Sequence, residues 1–154
     1  MSIYSPANID SVGYVMNTIL LPVDLSSSTG LLYEKAISMA KAFASTVYLI
    51  HVVLPNEDTS SKDKKEMGRE FADESQALNR LATGLRDEGI ETHALLMEGV
   101  AAKVILEEAK RLDADLIILG SHGHGPLVGT LMGDVSQAVT RDTSCPVLIV
   151  PTRG

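Results

Sequence analysis

"DADLIILGSHGHGPLVGTLMGDVSQAV", residues 113–139, passes from an apolar run through a glycine-rich loop into a helical pattern. Leu116 to Leu119 is short, unbroken and apolar, and together with the Ala114-Asp115 that leads into it reads as a buried strand. Gly120, Gly123, Gly125, Gly129 and Gly133 punctuate the loop, and Val135, Ala138 and Val139 start a short helix. A strand that feeds a helix through glycines is the βα junction of a parallel sheet. Glycine at this density also lets backbone amides come close to a ligand, often a phosphate.

The same alternation runs through the rest of the chain. "TILLPVD" (Thr18–Asp24) is a short apolar run stopped by "LSSSTG", and reads as a strand. Leu32, Ala36, Met39, Ala40 and Phe43 then predict a helix from about Thr29 to Ala44. "TVYLIHVV" (Thr46–Val53) is rich in β-branched residues and reads as a second strand. "LPNEDTSSKDKKEMG" (Leu54–Gly68) reads as a polar surface loop. A stripe of Met67, Phe71, Leu78, Leu81 and Leu85 predicts a long helix closed by Gly89 at its C′ position. "ETHALLM" (Glu91–Met97) is the third strand. Ala101, Val104, Ile105, Ala109 and Leu112 line the next helix, with Glu107 and Arg111 paired at i,i+4 on its wet side. "PVLIV" (Pro146–Val150) closes the chain as the last strand.

Strands and helices therefore alternate, and the strands are apolar throughout, as parallel strands covered on both faces are. The expectation is one open, doubly wound α/β sheet of five parallel strands with four helices. Residues 1–16 form an extension before a single domain spanning 17–154, and 154 residues suffice to bury a real core.

A net charge of -7 argues against a nucleic-acid partner or an anionic membrane surface, which call for clustered Lys and Arg. One cysteine, Cys145, excludes an intramolecular disulfide and suits a reducing compartment. "MSIYSPANIDSVGYVM" (Met1–Met16) lacks the basic residues and apolar run of a signal peptide, and no stretch approaches the ~20 apolar residues of a membrane span. A cytoplasmic protein is expected.

In such a sheet, ligands bind beyond the carboxyl ends of the strands, where the strand order reverses. Asp24 follows the first strand, His51 to Val53 end the second, and Gly120 ends the fourth. If the first and fourth strands are neighbours, "PVDLSSS" and "GSHG" face each other across one crevice. The loop is no P-loop, because no Gly-Lys-Ser/Thr follows, and it lacks the Gly-x-Ser-x-Gly of a nucleophile elbow. A dinucleotide fingerprint belongs after the first strand. Metal binding by His122 and His124 lacks further ligands at suitable spacing. A plain loop with tight turns and an anion cradle built from loop amides and a helix N-terminus both remain open.

Gly120-Ser121-His122-Gly123, nine residues, then Gly133 resembles the Gly-x2-Gly-x9-Gly-Ser/Thr motif of the universal stress protein family. "ILLPVDLSSSTGLLYEKAISMAKAF", "VYLIHVV", "DADLIILGSHG" and "SCPVLIVP" are similar to that family's first strand and helix and its second, fourth and last strands. The resemblance covers about residues 17 to 151. It implies the strand order 3-2-1-4-5 of the adenine nucleotide alpha hydrolase-like fold, and commonly a homodimer through the last strand, here Val147–Val150. It also implies binding of ATP, ADP or AMP. By position, Pro22, Val23, Asp24 and the backbone of Val52 fall at the adenosine end. Leu119, Gly120, His122 and Gly123 fall along the ribose and phosphates, and Gly133, Asp134 and Val135 hold the phosphates at the helix start. The implied role is a nucleotide-dependent regulator of stress tolerance, with at most a slow ATPase activity and no catalytic residues assigned.

One position departs from the motif: Asp134 stands where the family has Ser or Thr. "DVSQ" (Asp134–Gln137) has the shape of a capping box, with Asp134 as N-cap. Beside a phosphate, a carboxylate ~4 Å away costs roughly 1 kcal/mol in water and about 4 kcal/mol at an effective dielectric of 20. That range is roughly tenfold to a thousandfold in affinity. Three outcomes stay open: AMP or ADP is favoured over ATP, a divalent cation such as Mg2+ bridges Asp134 to phosphate, or the protein is a dimer that acts through protein contacts alone. No lysine or arginine lies in the loop to steady phosphoryl transfer. His51 is expected to complete its strand, His93 has no assigned role, and Cys145 reads as a small apolar filler.

Overall fold

The computed structural model describes residues 16–26, 29–55, 61–121 and 133–152, with the side chains of 61–64 left aside. The elements in order are β1 (Thr18–Pro22), α1 (Thr29–Phe43), β2 (Thr46–Val53), α2 (Ser61–Asp87), β3 (Thr92–Glu98), α3 (Ala101–Arg111), β4 (Leu116–Gly120), α4 (Asp134–Asp142) and β5 (Val147–Val150). The strands form one sheet in the order β3-β2-β1-β4-β5, every pair parallel. This is the doubly wound arrangement that the alternating pattern predicts, and strands β1 and β4 are neighbours.

Successive strand side chains point to opposite faces. Ile19 and Leu21 of β1, with Val23 just beyond it, pack with Leu32, Ala36 and Ala40 of α1 and Leu78, Ala82 and Leu85 of α2. Leu20, between them, packs on the other face with Ile50, Ile117 and Leu119 against Val104, Ile105 and Ala109 of α3 and Val139 of α4. Helices cover both faces, so the central strands need no polar alternation. Ile19, Leu20 and Leu21 are fully buried, and each such side chain contributes about 1.5–3 kcal/mol relative to exposure.

A carboxylate aligns the two central strands at their amino ends. Asp115 Oδ2 accepts the amides of Asn17 at 2.9 Å and Thr18 at 3.0 Å, while the Asp115 amide donates to Thr18 O at 2.9 Å. At the end of α2, Gly89 takes φ +81, the left-handed C′ conformation predicted for it.

Two expectations are corrected. The polar stretch read as a loop through Gly68 is helical from Ser61. The strong helix formers Lys65, Glu66, Met67, Arg69 and Glu70 carry these turns without a core to pack on, and Phe71 of the predicted stripe remains 52% exposed. On α3, Arg111 pairs with Glu108 rather than Glu107. Its Nε and Nη2 lie 2.8 and 2.6 Å from Glu108 Oε2, because Glu108 is the buried carboxylate that needs a cation, while Glu107 turns outward near Lys103 at 3.9 Å. Residues 1–15 of the expected extension lie outside the described residues.

Candidate functional site

The strand order reverses between β1 and β4, so the crevice at their carboxyl ends is where an open α/β sheet takes its ligands. On the β1 side, the Val23 amide donates to Ile50 O at 2.8 Å, and the Val23 carbonyl accepts from His51 Nδ1 at 2.8 Å. Both peptide groups of Val23 are thus committed to β2, which fixes Pro22-Val23 as a rigid lip. Asp24 follows in a tight turn. Its Oδ1 accepts the Ser26 amide at 2.9 Å, Ser26 Oγ at 2.5 Å and Thr29 Oγ1 at 3.5 Å. Leu25 between them has φ +61, a left-handed conformation that costs a non-glycine residue about 1–2 kcal/mol. The turn aims the Asp24 carboxylate and leads into α1.

On the β4 side, Leu119 is buried and pairs with Ile149, and Gly120 pairs with Val150. Ser121 sits at a junction of three elements. Its amide donates to Val150 O at 2.9 Å, its carbonyl accepts the Gly133 amide at 2.6 Å, and its Oγ accepts the Thr152 amide at 3.0 Å. Ser136 Oγ donates to Gly120 O at 2.6 Å. The start of α4 is thereby held against the end of β4.

The N-cap of α4 is Gly133, in extended conformation at φ -70 and ψ 166. Asp134 is the first helical residue, which corrects its expected place as N-cap. The reason is geometric: the bond from Gly133 to Ser121 pulls the cap position back by one, and the Gln137 amide bonds Gly133 O at 3.0 Å. The exposed Asp134 carboxylate still lies in the first turn, where the helix dipole favours a negative charge by about 0.3–1 kcal/mol. Val135 beside it is 37% exposed. A ligand phosphate at these amides would meet both the dipole and that carboxylate.

Pro22, Val23 and Asp24 thus stand at the end of β1, next to Leu119 and Gly120 of β4, with Gly133, Asp134 and Val135 tied to β4 through Ser121. Val52 is half-buried one strand further out and pairs with Met97. His122 and Gly123 lie outside the described residues, as does His124. Among the described residues no three His, Cys, Asp or Glu side chains form a group that could hold a metal, and no helix is long and apolar enough to cross a membrane. His93 stacks on Tyr48 with centroids 4.9 Å apart, away from the crevice on the β2–β3 side. Cys145 is half-buried, its thiol donating to Ala114 O at 3.1 Å; burial, then Asp115, raises its pKa.

Ser26, Thr29 and Ser136 have no role assigned from the sequence, and Ser121 enters there only as a nucleophile lacking the Gly-x-Ser-x-Gly elbow. Their signal is slight: each is a small hydroxyl residue within three positions of a glycine or of Asp24, and turn chemistry of that kind is common.

Residues 16–151 match the sequence profile of the universal stress protein family, nearly the whole chain, and the chain belongs to that family. Universal stress protein MJ0531 of Methanocaldococcus jannaschii is 34% identical over 142 residues, covering 86% of this chain and 80% of that protein. The solved structure of hypothetical protein MJ0577 superposes with a TM-score of 0.79 at 25% identity, over 91% of this chain and 99% of that one. A universal stress protein in complex with cAMP gives 0.71 at 21% identity, covering 90% of this chain and 99% of that one. One from Archaeoglobus fulgidus in complex with dAMP gives 0.64 at 20%, covering 88% and 98%.

Proposed function

We propose that this chain is an adenine-nucleotide-binding regulator of the stress response. In this reading Pro22, Val23, Asp24 and Val52 take the adenosine end, Leu119, Gly120, His122 and Gly123 the ribose and phosphates, and Gly133, Asp134 and Val135 the phosphates at the start of α4. The observation that carries it is the adjacency of β1 and β4, which brings the oriented Asp24 and both ends of the glycine segment to the carboxyl side of neighbouring strands. The cAMP and dAMP complexes of two proteins with this fold support the adenine class. Asp134 favours a ligand with little phosphate charge, or one whose charge is bridged by a divalent cation. Calorimetry with ATP, ADP and AMP, each with and without magnesium, tests the reading; no heat at millimolar ligand ends it.

The reading includes a homodimer paired edge to edge through β5, whose Val147, Leu148 and Ile149 keep partial exposure on an unpaired sheet edge. A second reading, favoured by the carboxylate at Asp134, is a dimer that signals through protein contacts and holds no nucleotide. Gly123→Val separates the two: it abolishes nucleotide binding under the first and leaves behaviour unchanged under the second.

A further inference from the structure

β3 is the edge of the sheet opposite β5, and among the described residues β2 is the strand it pairs with. The Val47 amide donates to Glu91 O at 2.8 Å and the Gly99 amide to Val53 O at 2.9 Å, so the backbone groups of the odd residues face β2. Backbone direction alternates along a strand, and the even residues Thr92, Ala94, Leu96 and Glu98 therefore turn theirs outward. Arg86 of α2 agrees with this parity, since its Nε and Nη2 reach Thr92 O at 3.1 and 2.8 Å. A side chain thus caps Thr92, while Ala94, Leu96 and Glu98 present a row of amides and carbonyls with no described strand beside them. Edges of this kind are commonly blunted by lysine or proline; "THALLME" (Thr92–Glu98) has neither.

We propose that this edge pairs with β3 of a second copy of the chain, antiparallel about a two-fold axis at Leu96. The parity sets the register. Leu96 faces the partner's Leu96, and Ala94 faces the partner's Glu98, as hydrogen-bonded pairs. Leu95 then falls opposite the partner's Met97 in the closer, non-hydrogen-bonded position. Leu95 and Met97 are only partly buried and lie on the α3 face of the sheet, so the axis gathers both residues of both copies into one apolar cluster across the seam. Ala94, Leu96 and the exposed Glu98 lie on the α2 face. Because Ala94 is next along the edge from the Arg86 cap on Thr92, the axis sets the partner's Glu98 beside the Arg86 guanidinium, and does so twice. An edge that complements itself in hydrogen bonds, apolar pairs and charge favours a second copy over a foreign strand. The interface is independent of both the crevice and the β5 edge.

Residue-resolved amide exchange on the full chain tests it. Between about 10 µM and about 1 mM protein, the amides of Ala94, Leu96 and Glu98 slow by about tenfold or more, while those of His93, Leu95 and Met97, which face β2, stay slow throughout. Leu96→Lys sets two like charges on the axis and abolishes the concentration dependence. Should that variant unfold, Glu98→Lys decides, because its exposed position tolerates the change. A lysine facing the partner's Arg86 raises the protein concentration needed by about tenfold or more. Outward amides that exchange fast at every concentration overturn the proposal and leave the edge to a strand of another protein. Outward amides that stay slow at every concentration in wild type and in the folded variants overturn it too, since a segment of this chain then covers the edge. A concentration dependence unchanged in the folded variants places the contact elsewhere and overturns it as well.

Discussion

The Gly133 amide donates to the Ser121 carbonyl at 2.6 Å, closing the glycine segment at its base. Ser136 adds a second closure onto Gly120 at 2.6 Å. The start of α4 is therefore tied to the end of β4 by two bonds. The same Ser121 bonds Val150 and Thr152 at the end of β5, so the edge strand and the proposed phosphate end of the crevice share one anchor.

Ser136→Ala removes a buried hydroxyl and leaves the Gly120 carbonyl without that donor. The expected loss of stability is about 1–3 kcal/mol, the penalty for an unmade buried hydrogen bond. Urea unfolding with an unchanged m-value measures it. Under the proposed nucleotide-binding function, affinity should fall in the same variant, because the α4 amides lose their registry with β4. A variant as stable as wild type would show that Gly133 alone seats the helix.

Asp134→Ser restores the hydroxyl that the family motif carries and removes one negative charge from the α4 N-terminus. Under the proposed function, ATP affinity should rise between roughly tenfold and a thousandfold, the range set by a charge pair ~4 Å apart in media of high and intermediate dielectric. AMP should gain less and adenosine least. Magnesium should help wild type more than the variant if it bridges the carboxylate to phosphate. Equal gains for all three ligands would show that Asp134 acts on the pocket's shape and not on phosphate charge.

The fold was legible because its strands are short apolar runs separated by amphipathic helices, and TILLP and LIILG admit few other readings. Of the proposed site, Asp24, Gly120 and Gly133 stand out in the sequence as unusual residue types where they stand, and the structure brings Asp24 and Gly120 to the carboxyl ends of neighbouring strands. The cap of α4 was not legible: Asp134 and Gln137 fit a capping box locally, and only the long-range bond from Gly133 to Ser121 moves the cap by one residue. Arg111 was misassigned for a similar reason. Position i,i+4 to Glu107 and i,i+3 to Glu108 are both allowed on a helix, and the burial of Glu108, a tertiary fact, decides between them.

Cys145 should react slowly with thiol reagents at neutral pH. Burial and then the negative charge of Asp115 raise its pKa, the Ile117 backbone opposes them, and Asp113 adds a smaller rise; the thiolate is the reactive form. Kinetics with a chromogenic disulfide should give a slower rate for the native protein than for the urea-unfolded chain at the same pH. Equal rates would mean that the thiol is as open as in a peptide.

Gly84 of α2 lies against the Tyr33 hydroxyl of α1, which donates to Leu81 O at 2.9 Å; a Cβ at Gly84 would collide with Tyr33 Oη and stand 3.4 Å from Cζ. Gly84→Ala alone should therefore cost about 1–3 kcal/mol through overpacking, although alanine is the better helix former. In a Tyr33→Phe background the colliding oxygen is gone, and the same change should stabilise by up to about 1 kcal/mol, the helix-propensity gain. A reversal of sign between the two backgrounds in denaturant unfolding is the expected result; equal costs would place the strain elsewhere. The phenol also gives a pH test. Burial first, then Glu88 and Asp87, raise the Tyr33 pKa. Its neutral form therefore supports the fold fully below the pKa of an unfolded tyrosine, and that support is lost as pH climbs through the folded value. Wild type should lose more stability than Tyr33→Phe over that alkaline range.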